Sequence, residues 1–284
     1  MSSPTAREAG LVSWAEHVAS GIRTTINGVE AFYVDRGEGN PVVLVHGWAS
    51  SSFSWRRNVP ALSERFRMIA PDLPGFGLSQ RLPGGLDLES VRAFLLDLLE
   101  SIGVDEFSLV GHSMGGAVSA YVASMNPDRV RRLVLINPSP FGAGVGRRPF
   151  AVELVRHRPL SDIAVRFSVR RSVVRRVLER VYVRKEVLDE ETVTGYYESI
   201  RNSGRTLIEA FRLIRSFRID YLRSLRCPVL FVLGRRDELV PFELNERLAR
   251  ELGAEIYVDD GSGHNVHEEN PEEVNRVIAD FLSR

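Results

Sequence analysis

Leu109-Val110-Gly111-His112-Ser113-Met114-Gly115-Gly116-Ala117 is the stretch on which the fold turns. An apolar run from Phe107 to Val110 breaks at Gly-x-Ser-x-Gly, and small residues at helical spacing follow at Ala117, Ala120 and Ala123. The pattern predicts a strand, a sharp turn and a helix, with the Ser113 hydroxyl lifted clear of a sheet. Such a turn holds the serine in a strained backbone conformation, and side chains two residues to either side would collide. That is the physical reason for Gly111 and Gly115. The helix starting at Met114 would aim free N–H groups at the point where an oxyanion forms.

Outward from this turn the chain alternates. Upstream, residues 8–20 carry Leu11, Trp14, Ala15 and Val18 at helical spacing, and strands near 22–26 and 29–35 flank an Asn27-Gly28 hairpin turn. Val42 to Val45 reads as a buried strand ending on His46-Gly47-Trp48-Ala49. A helix is expected within 50–66, then a strand from Arg67 to Ala70 running into turn residues 71–77. Asp87 to Ile102 is amphipathic, with Gly103 as a C-cap candidate. Downstream, Val130 to Ile136 is another apolar strand. Strand–helix alternation of this kind predicts an α/β fold with a mostly parallel sheet.

The alternation stops between Asn137 and Asp220. Helical patterns over 165–181 and 192–219 replace it, and from Pro140 to Asp220 there are 17 Lys and Arg against 10 Asp and Glu. The sheet resumes at 228–233, followed by a helix at 242–252, a strand at 255–258, the loop Gly261-Ser262-Gly263-His264 and a helix at 272–282. The expected organisation is a core from residues 1–137 and 221–284, with 138–220 inserted as a helical cap.

Bulk properties narrow the function. The 284 residues are 44% hydrophobic and 26% charged, with zero formal net charge, so an ordinary globular core is expected. One cysteine, Cys227, excludes an internal disulfide. The first 21 residues lack the basic and apolar regions of a secretion signal, and no run approaches the roughly 20 apolar residues of a membrane span. A cytoplasmic protein without stable membrane association is expected. The arginines of 140–220 have few interleaved aromatics, which fits a solvated helix surface rather than a nucleic-acid site. Monomer and dimer are both open.

Five separated pieces agree in order and spacing: His46-Gly47-Trp48, Asp72-Leu73-Pro74-Gly75-Phe76-Gly77, Gly111 to Gly116, Gly234-Arg235-Arg236-Asp237, and Gly263-His264 with Glu269-Asn270-Pro271 beyond it. Together they resemble the α/β-hydrolase superfamily over nearly the whole chain. The resemblance implies that fold, a central sheet flanked by helices, and Ser113, Asp237 and His264 as nucleophile, acid and base. It implies the backbone N–H groups of Trp48 and Met114 as an oxyanion hole. His267 is the competing base, and Asn137 stands where some members place their acid. His46, Gly47, His112, Phe76 and Asn265 are candidates for the pocket, and Asp72 for a structural hydrogen-bonding role. A serine suits acyl carbonyls, unlike the aspartate of haloalkane dehalogenases and related epoxide hydrolases. The expected activity is cleavage of small to medium carboxylic esters, a small-molecule substrate, with no metal or organic cofactor. Carbon–carbon bond hydrolases of aromatic-ring degradation share the Gly-His-Ser-Met-Gly-Gly elbow, although many place tryptophan where this chain has Asn265. Lactonase-like and perhydrolase-like members share the triad, and a ligand receptor on the same scaffold is the reading from another class.

Overall fold

A computed structural model describes residues 12–139, 169–201 and 203–284. Its centre is an eight-stranded sheet of β1 (Ile22–Ile26), β2 (Val29–Arg36), β3 (Pro41–Val45), β4 (Arg67–Pro71), β5 (Phe107–His112), β6 (Val130–Ile136), β7 (Val229–Gly234) and β8 (Glu255–Asp259). The spatial order is β1-β2-β4-β3-β5-β6-β7-β8. β1 pairs antiparallel with β2, and β2 with β4. Every other pairing is parallel, beginning with β3 between β4 and β5.

The apolar runs have a simple cause. Val43, Val45, Leu109, Leu133 and Leu135 point to one face, and Val42, Leu44, Val110, Val134 and Ile136 to the other. Because both faces are covered, the central strands are mostly apolar, with polar residues at their ends, such as Ser108 and His112 on β5 and Arg131 and Arg132 on β6. The first face meets α3 (Leu88–Ser101), α4 (Met114–Met125) and α9 (Phe242–Glu251). The second meets α2 (Val59–Leu62) and α11 (Pro271–Leu282).

Between β6 and β7 the described residues form helices only: α5 (Arg171–Val181), α6 (Glu190–Ile200), α7 (Gly204–Ser216) and α8 (Ile219–Arg223), with a short 3₁₀ turn at Lys185–Val187. They sit over the loops that leave the parallel strands. Gly77 donates its N–H to the Ser199 carbonyl (2.9 Å), and Arg81 makes a bidentate contact with Glu209 at 2.6 and 3.2 Å. Among the described residues no helix is long and apolar enough to cross a membrane.

Three expectations need amendment. The expected helix in 50–66 is a 3₁₀ turn, Ser52–Trp55, followed by the single-turn α2. Serine hydroxyls compete with the helical ladder there: Ser51 Oγ accepts from Phe53 N–H, and Ser54 Oγ donates to the Ser51 carbonyl. The pattern over 192–219 is divided among α6, α7 and α8, with breaks before Gly204 (φ +32°) and at Phe217, which is extended. The first helix, α1 (Trp14–Ser20), begins at a Ser13–Glu16 capping box, so the expected start near residue 8 falls outside the described residues. Residues 165–168 of the expected 165–181 helix, and 140–168 of the expected insertion, also lie outside them.

Candidate active site

Ser113 occupies the turn between β5 and α4 with φ 52° and ψ −118°, a left-handed conformation that non-glycine residues adopt only under constraint. The constraint is visible: Ser113 N–H donates to the Ile136 carbonyl of β6 (3.0 Å), and its own carbonyl accepts from Gly116 (3.0 Å). A Cβ on Gly111 would lie 2.4 Å from the Gly115 carbonyl oxygen, and one on Gly115 would lie 2.1 Å from the Val45 carbonyl oxygen. Both obstacles are backbone. Gly115→Ala is therefore expected to push the end of β3 away and cost about 2–3 kcal/mol of stability. Thermal unfolding of the variant checks this, and an unchanged midpoint would contradict the close approach.

The end of β3 forms the neighbouring wall. His46 is buried with both ring nitrogens committed: Nδ1 donates to the Gly47 carbonyl (2.8 Å), and Nε2 accepts from Leu73 N–H (2.9 Å). Burial lowers its pKa to about 4, so the ring is neutral. Phe76 is fully buried and meets His46 edge-on at 5.5 Å. Gly47 runs close against Ser113, a Cβ there lying 3.3 Å from the Ser113 Cβ. Neither Trp48 N–H nor Met114 N–H has a hydrogen-bond partner among the described residues. The Trp48 side chain is 42% exposed, and its indole N–H donates to the Leu207 carbonyl of α7 (2.8 Å).

Asp237 follows β7, and His264 follows β8. His264 Nδ1 and Asp237 Oδ2 are 2.7 Å apart. The other carboxylate oxygen accepts from Leu239 N–H (2.8 Å) and Val240 N–H (2.9 Å), so the turn itself aims the carboxylate. With Nδ1–H donated, Nε2 carries the free lone pair. Among the described residues Ser113 Oγ makes no hydrogen bond to His264; such bonds are often long or poorly aligned until substrate engages. His112, next to Ser113, links them: its Nε2 donates to the His264 carbonyl (3.0 Å), and the two rings lie 4.8 Å apart.

His267 is brought elsewhere. It is wedged between Trp55 (4.7 Å) and His112 (4.4 Å), away from Asp237, with its pKa lowered by burial to about 4. Asn265 is buried at the start of α10 (Val266–Glu269), where its carbonyl accepts from Glu268 and Glu269 N–H. Asn137 is a keystone: its amide donates to the Gly263 (3.0 Å) and His264 (2.8 Å) carbonyls and accepts from Gly234 N–H (3.0 Å). Asp72 accepts from Ser52 N–H (2.7 Å), Ser52 O–H (2.6 Å) and Leu78 N–H (2.8 Å), and burial pushes its pKa up to about 6.

The roles of two neighbouring carboxylates were not legible in the sequence, although Glu269 belongs to the Glu269-Asn270-Pro271 piece of the resemblance. Glu268 is fully buried, ion-paired with Arg56 and bonded by the Tyr196 hydroxyl of α6 (2.5 Å). Glu269 holds three backbone N–H groups. Tyr196 and Arg56 lie 72 and 212 residues from Glu268, and Arg184 and Val183 lie 85 and 86 from Glu269, with only Gly263 near at six, so no local pattern marks these roles.

Comparison with known proteins agrees with this fold. Residues 40–271 match the family model described as alpha/beta hydrolase fold. The chain is 34% identical over 277 residues to the 2-hydroxy-6-oxo-2,4-heptadienoate hydrolase of Pseudomonas putida, covering 90% of this chain and 94% of that one. A meta-cleavage product hydrolase from Pseudomonas fluorescens IP01 superposes with TM-score 0.79 at 25% identity, covering 94% of this chain and 98% of the other. A thermophilic esterase from Thermogutta terrifontis superposes with TM-score 0.78 at 27% identity, covering 93% and 98%.

Proposed function

This chain belongs to the α/β-hydrolase fold family, and from that premise we propose that it is a serine hydrolase cleaving carboxylic esters of small to medium acyl chains through an acyl-enzyme on Ser113. The observation that carries the reading is the 2.7 Å contact between His264 Nδ1 and Asp237 at the end of the sheet where Ser113 is strained outward.

In this mechanism His264 Nε2 takes the Ser113 proton as Oγ attacks the ester carbonyl carbon. Asp237 keeps the imidazole in the required tautomer and stabilises its charged form. The N–H groups of Trp48 and Met114 receive the oxyanion, each contributing about 3–4 kcal/mol. Collapse of the tetrahedral intermediate breaks the ester C–O bond, and His264 returns the proton to the departing alcohol. Water then adds to the acyl carbon with His264 as base, releasing the acid and free Ser113. Serine–histidine chemistry of this kind calls for no metal or organic cofactor. The segment 138–220 serves as a cap, and the described helices α5 to α8, with Trp48, select the acyl group.

The two relatives named for a hydroxy-oxo-heptadienoate and a meta-cleavage product favour a second reading, hydrolysis of a carbon–carbon bond. Against it stands Asn265 directly after His264. Steady-state hydrolysis of p-nitrophenyl esters from acetate to dodecanoate, beside a 2-hydroxy-6-oxo-dienoate, decides between them. Turnover peaking at one short or medium chain length is expected. Cleavage of the dienoate with negligible turnover of every ester would replace the ester reading by the second.

A further inference from the structure

The loop that carries His264 is gripped by one stretch of the helical segment, residues 181–184 at the end of α5. Glu269 provides the central contact. Its Oε2 accepts from Val183 N–H and Arg184 N–H, both at 2.8 Å, and its Oε1 accepts from Gly263 N–H at 3.0 Å. The carboxylate thus bridges the segment to the residue immediately before His264. Packing repeats the same alliance independently. A Cβ on Gly263 would lie 3.0 Å from the Val181 carbonyl oxygen and 2.9 Å from the Val183 side chain, so the two backbones are in direct contact. Arg184 reaches over Gly261 to Asp259 at 3.2 Å, closing the grip at the start of the loop.

We propose that Glu269 is a positioning residue: through it, residues 181–184 of the helical segment set where His264 stands relative to Ser113. The segment then has a duty beyond shaping a pocket, since it adds its own hold on the histidine loop to the bonds from Asn137 and His112. The proposal rests on the reading of His264 as the base. It accounts for a feature that a purely local loop would not need, a buried carboxylate whose two oxygens are divided between the two parts of the molecule.

Glu269→Gln tests it. The amide oxygen can remain with the two segment N–H groups, while its NH₂ then faces the Gly263 N–H, donor against donor. Misplacing a catalytic group by a fraction of an ångström to one ångström costs up to about 100-fold in rate. The expected result is a fall of about 10- to 100-fold in kcat for p-nitrophenyl acetate, a substrate too small to depend on the cap, with KM changed by less than about threefold. The low-field proton resonance of the His264–Asp237 hydrogen bond should move as well. Arg184→Ala, which loosens the same grip from a partly exposed site, should shift both readings in the same direction by a smaller amount. Arg81→Ala, which cuts the Arg81–Glu209 contact on the other flank of the segment, should leave both near wild type.

A lower melting temperature with unchanged kcat and an unmoved resonance would reduce Glu269 to scaffolding and overturn the proposal. An equal loss in Arg81→Ala would overturn the specific route through Glu269. If the wild-type protein turns over no ester, the proposed function fails by itself, and the resonance in Glu269→Gln and Arg184→Ala still decides whether this residue sets the histidine loop.

Discussion

Replacing Ser113 by alanine is expected to reduce ester turnover by about 10⁴-fold or more while shifting the thermal midpoint by no more than about 3 °C. The two halves of that result have separate causes. The rate falls because His264 and Asp237 can activate a nucleophile but cannot replace one, and groups that act as a unit fail together. What remains is the contribution of the oxyanion donors and of binding. Stability is spared because Ser113 Oγ makes no hydrogen bond among the described residues, so its removal leaves no buried partner unsatisfied. The backbone strain at φ 52° is unchanged, since alanine resists that conformation as serine does. Activity above about a tenth of wild type, in a variant shown by mass to be free of wild-type protein, would remove Ser113 from the nucleophile's role.

Acid is expected to unfold the protein well above the pH at which ordinary carboxylates titrate. Burial lowers the pKa of His17, His46 and His267 from 6.5 to about 4, and holds that of His112 well below 6.5. Arg56 adds to the effect at His17; at His267 Glu268 opposes it, and Arg56 and His264 add to it. Between pH 6.5 and 4 the unfolded chain therefore binds protons that the folded chain refuses, and stability falls as pH falls. At about 1.4 kcal/mol per unit, the first three histidines together remove about 10 kcal/mol across that window. Asp72 acts in the opposite sense. Its folded pKa of about 6 lies above the 3.8 of the free group, so lowering the pH from 6 to 3.8 returns about 3 kcal/mol. The net loss of about 7 kcal/mol is comparable with the whole stability of a typical domain. Thermal melts from pH 8 to 4 should show the midpoint dropping steeply below pH 6.5, and a flat profile down to pH 4.5 would contradict the burial of these rings.

Much of this architecture was legible in the sequence because its causes are local. The continuous apolar runs of β3, β5, β6 and β7 follow from burial on both faces, and Gly111 and Gly115 mark a turn whose crowding is with backbone four residues away or on the adjacent strand. Asp237 and His264 are reached only through the family resemblance, each lying just past a readable strand. Residues whose work is done across long separations were not legible. Asn137 could be recognised in sequence as something other than an acid, but its three bonds to residues 234, 263 and 264 depend on β6 and β7 becoming neighbours. Arg56 in the serine-rich loop gave no sign that its charge would be buried against Glu268. The division of 192–219 into three helices was hidden for a related reason. A three- and four-residue spacing continues across a break when each piece buries the same side.

The neighbouring positions of β6 and β7 have a consequence for how the chain is made. β6 ends at Ile136 and β7 begins at Val229, so one flank of the nascent sheet waits for the ribosome to deliver its partner. At 5–20 residues per second that interval is on the order of 5–20 s. Throughout it Leu133, Val134, Leu135 and Ile136 present an unpaired apolar edge that any other extended chain could join. Chains terminated before residue 229 should aggregate, and the yield of soluble full-length protein should rise when a holdase chaperone is supplied during translation.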